Sequence, residues 1–111
     1  MTATVASSGS QTATVTTEHT LATETTAGTY LLAVDASAMV GGTTPDILEL
    51  RIYGKARSSD TERLLYSAVF VGVQATPLLL SPPVPSPHHC KVTLKQTQGT
   101  GRAFPWATYK L

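Results

Sequence analysis

A chain of 111 residues has room for one domain, because a second core would leave too few residues for either. Only 14% of the residues are charged and the formal net charge is +1, so no field exists to gather phosphates and nucleic acid is excluded as an expected partner. Cys90 is the single cysteine, which rules out an intramolecular disulfide, and no apolar stretch approaches the roughly 18 residues of a membrane helix, so no membrane partner is expected.

Thr is the commonest residue, with Val, Ser and Ala abundant. Side chains branched at Cβ suit a pleated, half-buried surface and lose rotamer freedom in a helix, so the composition points to sheet. A low charge density is tolerable on a surface that other protein covers, which favours a subunit of an assembly and a homo-oligomer over a lone monomer. The start, Met1-Thr2-Ala3-Thr4, has neither a basic segment nor an apolar one, so no export signal is expected.

Residues 1–17 carry no charge and, Met1 apart, no apolar side chain larger than Val. Two readings fit: a disordered arm, or an edge strand that pairs once a neighbouring subunit supplies the ladder. Residues 12–17 are the part best suited to pairing, which makes Thr12, Thr14, Val15 and Thr16 candidate partner contacts.

Ala27-Gly28 marks a turn before a buried strand at 29–35. Residues 35–39 can form one helical turn with Asp35 as its N-cap, ended by Gly41-Gly42. In 47–56, Leu48, Leu50 and Ile52 alternate with Glu49, Arg51, Tyr53 and Lys55, the pattern of an antiparallel strand with one wet face. A turn at 58–61 and a second long strand at 63–73 complete a hairpin.

Four prolines within 82–87 remove most backbone donors, which predicts an extended polyproline segment outside any central strand. Alternation returns at 91–97, and Gly99-Thr100-Gly101 turns the chain into a last strand at 103–111. With about six to eight short strands and no helix long enough to cover a sheet, two sheets must cover each other. The expected architecture is all-β: a small antiparallel β-sandwich, jelly-roll or Ig-like, over residues 18–111, with 1–17 as an extended N-terminal arm.

No constellation proposes catalysis, a cofactor or a small-molecule substrate. His88 and Cys90 can share one strand face but His89 points away, and a structural zinc needs four ligands, so no metal site is assigned. His19 and the many Ser and Thr residues occupy no activating motif. Glu24, Asp35, Asp46, Glu49, Asp60 and Glu62 are scattered without paired spacing and read as caps, turns or solvent-facing groups. Phe104 and Trp106 share a strand face, where core packing is the favoured role and a partner patch with Arg102 the alternative.

Three segments matter together: Glu18-His19-Thr20-Leu21-Ala22-Thr23, Leu48-Glu49-Leu50-Arg51-Ile52-Tyr53, and LKQTQGTGRAFPW at 94–106. They resemble a group of small uncharacterised virion proteins of tailed bacteriophages in which similar motifs occur in the same order. The resemblance spans most of residues 18–111 and implies a non-enzymatic capsid decoration (cement) protein, or a small tail or head-to-tail component. The partner it implies is the major capsid protein or another virion protein, and the location is the virion, assembled in the bacterial host cytoplasm. A different class, a receptor- or carbohydrate-binding module, would use Tyr53, Tyr66, Trp106 or Tyr109 as a stacking platform.

Overall fold

The alternation around Leu48, Leu50 and Ile52 carries directly into three dimensions. In a computed structural model of the chain, which describes residues 2–111, these side chains are at most 1% exposed. The described residues form nine strands and no helix: β1 (Thr4–Thr12), β2 (Glu18–Glu24), β3 (Gly28–Asp35), β4 (Ile47–Gly54), β5 (Arg63–Val71), β6 (Leu78–Leu80), β7 (Val84–Ser86), β8 (Cys90–Gln98) and β9 (Ala103–Lys110).

All seven pairings are antiparallel, and all but two, β3 with β9 and β4 with β8, nest about the loop between β4 and β5. β4 pairs with β5, β3 with β6 and β7, β2 with β8, and β1 with β9. The chain is thus one long hairpin whose successive strand pairs alternate between two sheets, ordered β1-β9-β3-β6 and β2-β8-β4-β5. With no helix to cover either sheet, the apolar faces pack on each other as a sandwich. Leu32, Val34 and Phe104 come from one sheet, and Leu48, Leu50, Ile52, Val92 and Leu94 from the other.

Cys90 lies in this core, and burial pushes its thiol up to about 11, so it behaves as a small apolar side chain. The expected turn after β3 forms without becoming a helix: Ser37 N–H donates to Asp35 Oδ1 at 2.9 Å and Met39 N–H to the Ala36 carbonyl at 3.1 Å. Asp35 therefore caps a single turn. The proline segment lies at a sheet edge, where β6 and β7 form one interrupted strand along β3. Ser81 fills the interruption, donating its own N–H to the Leu32 carbonyl and accepting the Leu32 N–H on Oγ, both at 2.9 Å.

Residues 4–12, expected within the N-terminal arm, are an edge strand of the sandwich itself. The ladder comes from β9 of the same chain, over Thr4–Lys110 to Thr12–Ala103. Small residues permit the fit. A Cβ at Gly9 would stand only 3.2 Å from the Trp106 ring, so the indole can lie against the strand because that position is bare.

Candidate interaction surface

One end of the sandwich is laced by buried polar groups. Asp46, 1% exposed, accepts hydrogen bonds from Val40 N–H (2.9 Å), Thr100 N–H (3.2 Å) and Arg102 Nε (2.8 Å), joining two loops that are far apart in sequence. Burial alone would raise the Asp46 carboxyl, but these donors and the Arg102 charge outweigh it and hold it below the usual range. Gln96, fully buried, donates to the Gln98 and Thr100 carbonyls and accepts Arg102 N–H. Gly99 has φ of +97°, and a Cβ there would collide with Asp46, so this turn requires glycine.

The candidate contacts from the sequence divide around this lacing. Thr12 and Thr16 reach it with Arg102: Thr12 pairs with Ala103, Ala13 N–H donates to the Arg102 carbonyl at 2.8 Å, and Thr16 N–H to the Gln96 carbonyl at 2.7 Å, while Val15 follows in the same turn. Thr14 N–H donates to His19 Nε2 at 3.0 Å. Thr16 sits at φ of +72°, a strained position for a β-branched residue. Phe104 is fully buried and Trp106 packs against the core, so the aromatic pair serves packing, and Phe104 is closed to any partner. Arg102 is committed to Asp46.

The acidic residues are not mere solvent-facing groups either. Glu24 Oε1 accepts from Ser7 Oγ at 2.6 Å and Thr108 Oγ1 at 3.0 Å, bridging β2 to β1 and β9 in the opposite sheet. Sequence reading missed Asp46 and Glu24, whose partners are remote in the chain. Gln96 was within reach, since it continues the inward parity of Val92 and Leu94.

The outer face of β2, β8 and β4 is a knitted polar surface. Glu18 accepts from Tyr53 Oη and Thr93 Oγ1, both at 2.7 Å, with Arg51 at 3.4 Å, and Arg51 also reaches Glu49 at 2.9 Å. Partial burial opposes ionisation of Glu18, yet the donors and positive charges win and its carboxyl is lowered. Glu62 is lowered chiefly by Lys91 at 2.5 Å, with His89 at 2.7 Å adding to it against burial. The Lys91 ammonium also lies over the Tyr53 ring, 4.6 Å from its centre, so this ring is occupied as a stacking platform.

The flank formed by β5 and β6 has the opposite character. β1 and β2 end their sheets on one side and touch each other, so β5 and β6 end them on the other. From Leu64 to Pro87 the sequence carries no charged residue. Inward, Tyr66, Ala68 and Phe70 face Ile52, Leu50 and Leu48. Leu64, Val69 and Val71 lie on the outer face of this sheet and Leu78 and Leu80 on that of the other; with Val73 and Leu65, which slips out of register with β4 and lies against Gly54, they are 51–72% exposed, seven of the nine exposed large aliphatic residues among those described. A long edge strand with one charge, at its start, and no proline is open to pairing with another chain, and exposed apolar surface on this scale marks an interaction site.

Among the described residues, no three His, Cys, Asp or Glu side chains gather as a metal site would require. No protein-family model, curated protein or solved structure matches the chain.

Proposed function

We propose that this chain is a non-enzymatic structural subunit of a phage virion, a decoration (cement) protein that binds the outer capsid lattice through its uncharged flank. The observation that carries the reading is that flank: seven Leu and Val side chains, each at least half exposed, on and beside the two strands that end the sheets on one side. A free monomer gains nothing from exposing them, whereas a subunit covered by other protein gains their burial, at about 25 cal/mol per Å² of apolar surface.

Two further points support it. The motifs at 18–23, 48–53 and 94–106 resemble those of small tailed-phage virion proteins. The strand order, with β1-β9-β3-β6 facing β2-β8-β4-β5, supports a jelly-roll reading of the sandwich, β6 and β7 counting as one interrupted strand, and jelly rolls are used in viral capsid domains. Lectins share that architecture, so the site and not the fold must decide. The aromatic residues do not favour a glycan: Tyr53 lies beneath Lys91, and Tyr66 and Trp106 pack against the core.

In this reading, attachment falls to the β5–β6 flank, because β1, likewise paired on one side only, offers a single large exposed aliphatic residue, Val5. The test is quantitative mass spectrometry of purified virions. Hundreds of copies per particle support decoration, a handful moves the subunit to the tail or head-to-tail joint, and absence from the particle contradicts the proposal.

A further inference from the structure

At the end of β4 away from Asp46, a cleft of about 290 Å³ is lined by Lys55, Arg63 and Leu65 of the β4–β5 hairpin and by Pro85, Ser86 and Pro87 of the proline segment. We infer that this cleft takes the carboxylate of an acidic side chain, carried on an apolar segment of the protein that covers the flank. The inference rests on the reading of the chain as an assembly subunit and names the chemistry its partner brings to this point.

Charge selects an anion. Among the described residues four cations form no ion pair, Lys55, Arg63, Lys95 and Lys110, and two of the four line this one cleft. Register explains the convergence, since Arg63 pairs with Gly54, the residue before Lys55. The acids of the same hairpin are committed elsewhere. Asp60 accepts from Arg57 Nε at 3.1 Å and from Arg57 N–H at 3.0 Å, and Glu62 is held by Lys91 and His89. Two positive charges therefore share one hollow with no carboxylate of this chain to meet them, and an incoming one gains both contacts.

The walls select a carboxylate over a phosphate. Pro85 and Pro87 have no N–H, so they build no amide cradle of the kind that holds a phosphate. Leu65 lies against the bare Gly54, where a Cβ would stand 2.6 Å from its Cδ1 atom, and with the two proline rings it gives an apolar lining that suits an aliphatic stem. Ser86 is 4% exposed and its hydroxyl has no hydrogen-bond partner, so a carboxylate in the cleft brings the acceptor it lacks.

Continuity with the flank selects a protein as the source. Leu65 is one of the seven exposed aliphatic residues of the flank and also lines the cleft. A polypeptide lying over those residues passes the cleft, and an acidic side chain between apolar neighbours meets both surfaces at once.

The test is a backbone amide NMR titration of the full chain with two capped peptides, acetyl-Leu-Glu-Leu-amide and acetyl-Leu-Gln-Leu-amide, and with inorganic phosphate. The Glu peptide should shift the Lys55, Arg63, Leu65 and Ser86 amides saturably and bind at least about tenfold tighter than the Gln peptide, the scale of a charge-assisted hydrogen bond. Replacing both cations, Lys55→Gln with Arg63→Gln, should abolish that preference and leave binding of the Gln peptide unchanged. Equal affinity for the two peptides, shifts confined to other parts of the surface, or phosphate binding tighter than the Glu peptide overturns the inference.

The proposed function has its own readout. If the doubly substituted chain loads virions to the occupancy of the unaltered chain, the carboxylate contact falls and the virion reading stands. If the Glu peptide binds as expected but the chain is missing from particles, the cleft stands and the virion reading falls.

Discussion

The β1 edge and the β5–β6 flank are both long stretches without charge in the sequence, and the fold treats them in opposite ways. β1 is mostly Thr, Ser, Ala and Gly, with Val5 its one large exposed aliphatic residue; it lies against β9, takes the Trp106 ring over Gly9, and is tied through Ser7 to Glu24. β5 and β6 are rich in Leu and Val, of which all but Leu79 are about half in water. Lack of charge marks a surface that tolerates contact, but only exposed apolar area supplies a driving force. Each edge strand is paired on one side only, and the exposed apolar area singles out the second for a partner.

This contrast can be broken by substitutions on each side. The largest effect is expected at Phe104, on the strand that completes the β1 edge. Phe104→Ala should lower unfolding free energy by about 3–5 kcal/mol in a denaturant titration, the range for truncating a buried aromatic residue. If the loss is under about 1 kcal/mol, Phe104 is not the core residue described.

Next comes the lacing that holds the β1 end in place. Asp46→Ala strands the Val40 and Thr100 amides and the Arg102 guanidinium, and should cost about 2–4 kcal/mol. Acid should act on the same group. Asp46, Glu18 and Glu62 are all lowered in the folded state, so the stability they add is complete above the unfolded value near 4 and is lost as pH falls through their folded values. Each group contributes a slope of up to about 1.4 kcal/mol per pH unit in that window, and Asp46→Asn should reduce the measured slope. An unchanged slope would remove Asp46 from the account.

A smaller change is expected where β1 is tied to β2. Ser7→Ala removes one donor to Glu24 and should cost about 1 kcal/mol, with earlier amide exchange along β1 than in the unaltered chain. The smallest effect on the fold is expected on the open flank. Leu80→Lys should change monomer stability by no more than about 0.5 kcal/mol, because the side chain is already half in water. A loss of several kcal/mol would mean that the flank is part of the core.

Much of this architecture was legible in the residues, and the limits have physical causes. Leu48, Leu50 and Ile52, and later Val92 and Leu94, announce their strands because a half-buried strand writes its two faces into alternate positions. β1 was ambiguous because Ser, Thr and Gly give no such contrast, and whether an edge finds its ladder at home depends on β9, a hundred residues on. The flank was hidden for a related reason. Residues 63–73 signal a strand, but outer Val69 and Val71 are as apolar as inner Tyr66, Ala68 and Phe70, so the segment does not say which face meets water, and that β5 is last in its sheet is a property of the strand order. Asp46 looked like a turn residue because its partners at Thr100 and Arg102 come from the far end of the chain.

Hydrogen exchange along β5 and β1, measured with and without purified capsids, addresses the difference between the two edges most directly. Protection of β5 amides should rise on the capsids while that of β1 stays constant, because the exposed Leu and Val lie on the β5–β6 flank. Exchange at β5 that capsids leave unchanged, or protection that rises at β1 instead, would contradict it.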